Sequence, residues 1–365
     1  MRAEVLMESA DKPVVPFNPN GGLTLVAMPG FEEQARRAAR RVDELSRRSA
    51  NKQYTPVDLA IPEVGEHPSG EPYMYLGKRH IGGHDCVIIT SGPGTHQMQS
   101  ELFWVLNHLQ GRHAGRITVV TGYFPLGRTD KDEGEKGFAM VSYVVAMMQA
   151  AANDRLSRIV SVDMHAAQTV GAGRSGSITE LSMVRVVLDR AIRDVLNAGQ
   201  RPVLVFPDDG SAKRTGEAID RLEADLRMHL PVVCGIKRRK SSTHAELRRL
   251  FGDVDQLPGA IALCVDDEIA TGGTNVTAAA GIIGEYRALE VRTVVTHGVF
   301  GKGFAERFSV SDCPVSRVYV TDTIPPRPWL AGFLESGRIV VVPWTDELAE
   351  ALYFMHWNTS IRSMR

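Results

Sequence analysis

Eight short apolar runs rich in β-branched residues recur along this chain, and the gaps between them leave room for helices. That rhythm constrains the fold more than any other feature. The runs are LTLVAM (23–28), CVIITS (86–91), RITVVTGYF (116–124), RIVSVDM (158–164), PVLVFPD (202–208), AIALCVDD (260–267), VRTVVTHGVF (291–300) and VSRVYVTDT (315–323). They lack strict polar alternation, so they predict strands buried on both faces, as in parallel sheets covered by helices. Helical patterns such as 31–48 and 180–198 lie between them. A βαβα succession predicts an α/β fold, and 365 residues with this many strands predict two doubly wound parallel-sheet domains. The Gly-rich stretch GAGRSGS (171–177) is the expected link. The first domain would then cover 22–176 and the second 177–344, after an irregular extension over 1–21.

Charge excludes some partners. Forty-two Lys and Arg against 43 Asp and Glu leave a net charge of −1, which offers no general grip on nucleic acid or an anionic membrane surface. No apolar run approaches the ~20 residues of a membrane span. Residues 1–20 carry acids and prolines and show no secretory pattern. The four cysteines are far apart without a CxxC spacing, which predicts free thiols in a reducing compartment and a cytoplasmic protein.

In sheets of this kind ligands bind at the carboxyl ends of strands. Here those ends carry PLGRTDKDEGEKG, HAAQ, PDDGSAKR and DDEIATGGT, a repeated pattern of polar, Gly-rich and ionisable residues suited to an anionic ligand. The most specific of them is VDDEIATGGTN (265–275). A strand ends in two acids, and a Gly-rich turn then opens a helix of small residues. Backbone N–H groups of such a turn (Thr271, Gly272, Gly273, Thr274), the helix N-terminus and the threonine hydroxyls suit a phosphate monoester. Asp266 and Asp267 would repel that phosphate; they suit vicinal hydroxyls or a metal beside it. Together they describe a site for a phosphorylated ribose.

This segment resembles the 5-phospho-α-D-ribosyl 1-diphosphate (PRPP) motif of the phosphoribosyltransferase superfamily. Within it the chain is most similar to the ribose-phosphate pyrophosphokinases, through GYFPLGRTDK (122–131), SVDMHAAQ (161–168), FPDDGSAKR (206–214), GIKRRK (235–240), TDTIPP (321–326) and TSIRSM (359–364), in that order. The resemblance covers about 22–365 and implies transfer of the β,γ-pyrophosphoryl group of ATP to the anomeric hydroxyl of ribose 5-phosphate, with Mg²⁺ as the metal. It also implies a C-terminal helix, about 345–365, that completes the first domain, and a homo-oligomer, dimer or hexamer.

Residue by residue, the resemblance makes Lys237 and Arg239 transition-state cations on a mobile loop, and Arg128 a clamp on the triphosphate. It places metal ligands at His165 and Asp208, with Asp209 as a helix-capping partner. Nucleotide contacts fall on His67, Ser69, Glu71, Arg128, Thr129, Asp130 and His165, and ribose 5-phosphate contacts on Asp266, Asp267 and the 271–274 turn. The departures are equally specific. His67 and Ser69 stand where the family has an aromatic and an aspartate, and Thr129 where it has a glutamine. Ala270 stands where it has a third acid, and DEGEKG (132–137) where it has the arginines of a phosphate and ADP regulatory site. These departures leave room for a non-catalytic paralogue or a phosphoribosyltransferase.

Overall fold

The computed structural model of the protein describes residues 17–49, 53–130, 137, 139–174, 176–239, 245–361 and 364. Two parallel sheets dominate it, and all eight expected runs are strands. The first domain contains β1 (Leu23–Ala27), α1 (Glu32–Arg48), β2 (Val57–Ala60), β3 (Glu63–Glu66), β4 (Pro72–Tyr75), β5 (Asp85–Thr90), α2 (His96–Gly111), β6 (Arg116–Thr121), α3 (Met140–Ala152), β7 (Leu156–Val162) and β8 (Ile178–Leu181). Six of its strands form a sheet in the order β2-β1-β5-β6-β7-β8, all parallel, while β3 and β4 stand apart as an antiparallel hairpin. Every residue of β1 and β5 is buried, as continuous apolar runs between two helical layers require.

The second domain contains α4 (Val184–Asn197), β9 (Pro202–Phe206), α5 (Asp209–Leu226), β10 (Val232–Arg239), β11 (Ala245–Gly252), β12 (Ile261–Ile269), α6 (Gly273–Tyr286), β13 (Glu290–Gly298), α7 (Phe304–Phe308), β14 (Val315–Thr321), α8 (Ala331–Glu335) and β15 (Ile339–Val342). Its sheet order is β11-β10-β9-β12-β13-β14-β15, with only β11 antiparallel. The strand order reverses between β9 and β12, and such a switch point opens a crevice at the strands' carboxyl ends. Among the described residues no helix is long and apolar enough to cross a membrane.

Three boundaries differ from the sequence reading. The expected link at 171–177 is followed by β8, which pairs with β7 from Ile159↔Ile178 to Val162↔Leu181. Burial of Ile178, Thr179 and Leu181 against the first core keeps the chain in that sheet to Leu181, so residues 180–181 are strand rather than helix. The lysine-containing segment is not a loop through Arg239. β10 pairs with β9 only over Val232–Cys234 and then continues as a hairpin arm with β11, with a register shift between Ile236 and Lys237. The backbone hydrogen bonds offered by 245–252 extend the strand past its apolar portion.

A final helix, α9 (Thr345–His356), places Leu348, Ala349, Leu352 and Met355 in the core of the first sheet, against α1. A buried charge cluster anchors its end. The Asp85 carboxylate accepts from Arg116 Nη2 at 2.5 Å and lies 2.9 Å from His356 Nδ1, while Arg116 Nη2 also donates to the Met355 carbonyl at 2.8 Å. Burial opposes ionisation of Asp85, but these hydrogen bonds outweigh it and hold the carboxyl below its ordinary range.

Uncharged contacts hold the two sheets together at the ends of β7 and β13. His297, 1% exposed, has Nδ1 2.9 Å from the Thr323 hydroxyl and Nε2 3.0 Å from the Val162 carbonyl. Burial pushes its pKa down, and the carbonyl beside Nε2 selects the neutral tautomer protonated there. Asp163, at a positive φ of 33°, accepts from the Met183 N–H at 2.9 Å and the Thr296 hydroxyl at 2.6 Å.

Candidate active site

The cleft between the sheets, about 650 Å³, is lined by Asp163, His165, Asp266 and Asp267, with Trp344 and Met364 among its walls. Each side chain arrives by ordinary local physics. β7 ends at Val162, and the turn after it carries His165 outward. β6 ends at Thr121; beyond it, Arg128 reaches the carboxyl end of β12. β12 itself runs further than its apolar letters suggest. It pairs with β13 to Ile269↔Gly298, so Asp266, Asp267 and Glu268 are strand residues rather than loop residues.

The turn at 271–274 follows directly. Gly272 has φ +71° and caps α6, and a Cβ there would lie 2.3 Å from Phe308 Cε2, so only glycine fits both the backbone and the packed ring. Thr271 and Thr274 are exposed at the start of a helix of 14 residues. Beside it, at the β9/β12 switch point, is a small crevice of about 60 Å³ whose lining includes Pro207, Asp266 and Thr274. A phosphate offered to this turn would meet backbone N–H groups and the positive helix end. Arg307, on α7, donates to the Thr271 carbonyl at 3.3 Å and adds positive charge at the rim.

Across the cleft the charges interlock. His165 Nδ1 lies 2.5 Å from Asp267 Oδ2, and Arg128 directs Nε and Nη2 onto Glu268 Oε1. The hydrogen bond to Asp267 raises the His165 pKa against the opposing effect of burial. Burial opposes ionisation of Asp267, yet the hydrogen bond from His165 outweighs it and holds the carboxyl below its usual range. Burial also works against the Arg128 charge, and the Glu268 carboxylate more than restores it. Tyr123 sits beside the same carboxylate; burial and that negative charge push its phenol up. Asp267 N–H is held by Asp266 Oδ1 at 3.0 Å.

His165, Asp267 and Glu268 each offer a ligand atom within 4.8 Å of the others, which makes this the candidate metal group among the described residues. Glu268 Oε2 is buried and has no hydrogen-bond partner. Glu268 is the residue that sequence reasoning passed over. Its signal is the third consecutive acid in VDDE, on a strand that runs past its apolar letters.

The other expected residues fall in different places. Asp208 is not in that group: its Oδ1 accepts from the Ser211 N–H at 2.8 Å and the Ser211 hydroxyl at 2.9 Å, so Asp208 itself caps α5, and Asp209 pairs with Lys213 at 2.6 Å. His67, Ser69 and Glu71 are exposed at the tip of the β3–β4 hairpin and do not line the cleft. There Ser69 donates to Glu71 at 3.1 Å and the His67 ring lies 4.9 Å from that of Tyr73. Thr129 is exposed with its hydroxyl on the Leu126 carbonyl at 2.8 Å, and Asp130 is half-buried. The backbone of Lys237 and Arg239 belongs to β10; their side chains, that of Gln168 and residues 132–136 lie outside the described residues. Ala270 is half-buried, with its carbonyl accepting from Gly301 N–H at 3.0 Å.

No protein-family model matches the chain. Among curated proteins, "Ribose-phosphate pyrophosphokinase" of Aquifex aeolicus is 29% identical over 286 residues, 78% of this chain and 84% of the relative. The protein of the same name from Rhodopirellula baltica is 29% identical over 303 residues, 82% of this chain and 89% of the relative. "Ribose-phosphate pyrophosphokinase 1" of Lactococcus lactis is 27% identical over 300 residues, 82% and 86% of the two chains. Among solved structures, phosphoribosylpyrophosphate synthetase from Mycobacterium smegmatis superposes with a TM-score of 0.70 at 23% identity, covering 92% of this chain and 99% of that one. The likeness establishes the fold: this chain shares the two-sheet α/β architecture of that structure along nearly its whole length.

Proposed function

We propose that the chain, as a diverged member of the ribose-phosphate pyrophosphokinase family it resembles, transfers the β,γ-diphosphoryl group of ATP to the anomeric hydroxyl of ribose 5-phosphate, releasing AMP and PRPP. One observation carries this reading. Arg128 and His165 from the first domain meet Asp267 and Glu268 from the second, on a strand that runs straight into a phosphate-type turn.

In this reading each residue has a distinct role. The 271–274 turn receives the 5-phosphate through backbone N–H groups and the hydroxyls of Thr271 and Thr274. Asp266 and Asp267 accept hydrogen bonds from the ribose hydroxyls, whose position next to the phosphate matches the order of strand and turn. Arg128 stands at the cleft as the triphosphate's cation, and to serve there it exchanges the Glu268 carboxylate for phosphate oxygens. Lys237 and Arg239, on the hairpin arm, supply the remaining positive charge against the negative charge that develops on the phosphate oxygens in the transition state. The donor set fits a hard divalent cation, because an imidazole and two carboxylates converge and one buried oxygen is unpaired. Mg²⁺ held by His165 and Asp267 would supply charge neutralisation at the phosphate oxygens.

His67, Ser69 and Glu71 are too exposed to form a nucleotide site within one chain, which favours a homo-oligomer in which the hairpin completes a neighbour's site. A cytoplasmic location accords with the four unpaired cysteines. The test is a coupled assay of purified protein with Mg²⁺, ATP and ribose 5-phosphate. AMP and PRPP should form in equal amounts. Binding of both substrates by calorimetry with no AMP formed would overturn the reading.

A further inference from the structure

We propose that Glu268 turns the His165–Asp267–Glu268 group into a divalent-cation site that fills in the nucleotide-free protein and spans the two domains. The proposal deepens the reading of this cleft, but it concerns cation binding by the protein alone and stands apart from turnover.

Two independent features point to a ligand. The first is the donor set: one imidazole nitrogen and two carboxylate oxygens within 4.8 Å of one another. Oxygens around a hard cation lie at roughly 2.0–2.6 Å from it, so neighbouring ligand atoms stand roughly 3 Å apart. A contraction of this order is within reach of three side chains at the ends of strands. The second is burial. The Glu268 side chain is only 2% exposed, and while Oε1 receives Arg128, Oε2 has no hydrogen-bond partner. A buried carboxylate oxygen left without a donor is costly, and solvent cannot reach it. A cation placed between Glu268, Asp267 and His165 satisfies that oxygen and takes over the 2.5 Å contact His165 now makes with Asp267.

Charge agrees with this. Arg128 pairs with Glu268, while Asp266 adds a further carboxylate beside Asp267. Local sequence agrees as well. Glu268 is a buried residue within β12, whereas Ala270 lies just past its end, nearer the turn. Asp208 is not among these donors, and one of its oxygens is committed to the start of α5.

The experiment is a Mn²⁺ titration of the full chain without nucleotide, following free Mn²⁺ by electron paramagnetic resonance. One site is expected. Glu268→Gln should weaken it by about 10-fold or more, a loss of the size that ligand-environment changes produce at metal sites, whereas Asp208→Asn should leave it unchanged. His165→Asn, at a half-exposed position, is expected to weaken it similarly. Circular dichroism and thermal unfolding of each variant confirm the fold. Absence of Mn²⁺ binding without nucleotide, unaltered binding in His165→Asn, or retention in Glu268→Gln with loss in Asp208→Asn would each overturn the proposal. None of these outcomes bears on whether AMP and PRPP are formed.

Discussion

The two domains touch in two chemically different ways. At the ends of β7 and β13, a buried, neutral His297 and three buried threonines form contacts sealed from water, with the half-buried Asp163 at their edge. At the cleft, two ion pairs, Arg128 with Glu268 and His165 with Asp267, join the same domains with Arg128 and His165 partly open to solvent. The sealed contacts have no better partner to exchange for, so they set the angle between the sheets. Under the proposed function, the open pairs are the ones exchanged for a substrate phosphate or a cation. A third cluster, Asp85 with Arg116 and His356, tests the distinction because it is charged yet sealed.

If burial rather than charge decides rigidity, that third cluster should behave like the first. Asp85→Ala should cost about 3–5 kcal/mol in urea unfolding at neutral pH, because it leaves Arg116 and His356 facing an empty buried site. Since the folded pKa of Asp85 is depressed, its stabilisation is present above the unfolded value of about 3.9 and is lost as pH falls through the native one. The gap between wild type and Asp85→Ala should therefore narrow below about pH 4. A gap that is constant down to pH 2 would remove charge from the account.

Asp163→Ala comes next. It strands the Met183 N–H and the Thr296 hydroxyl, at about 1–3 kcal/mol for a buried group left unsatisfied. The same variant should disturb turnover, because the sheets lose their angle. Wild-type stability would show that the seal rests on His297 alone.

Lys237→Ala should lower kcat by about 10²-fold with ATP affinity nearly unchanged, the signature of a cation needed only in the transition state. Near-normal turnover would reduce the β10–β11 arm to solvated surface. Asp267→Asn should raise the KM for ribose 5-phosphate by about 10-fold, since a hydrogen bond to a charged group is worth about 1.5–3 kcal/mol. Unchanged affinity would detach the sugar from this strand.

The smallest stability effect belongs to the open pairs. Glu268→Gln should cost less than Asp85→Ala, because Arg128 is 59% exposed and can turn to water while the isosteric amide keeps the buried volume filled. A loss as large as that of Asp85→Ala would erase the difference between sealed and open contacts.

Much of this molecule is legible without coordinates. Continuous β-branched runs separated by helices can only be covered parallel strands, and eight of them appear where the letters place them. The phosphate-type turn is equally local, because Gly272 needs its positive φ whatever surrounds it. Other properties have no local signature. Whether residues 178–181 join a sheet depends on a partner strand 19 positions earlier, as Ile159↔Ile178 shows. Lys237 lies in a strand because 245–252 returns beside it. Glu268 and Arg128 are 140 positions apart, and His165 and Asp267 are 102 apart. Periodicity and turn chemistry act over a few residues, so sequence alone determined the strands, the turn and the kind of ligand they suit. Which charges meet, which oxygen is left buried and unpaired, and which contacts water can reach were decided only when two sheets closed on one another, because burial and pairing are properties of the packed pair.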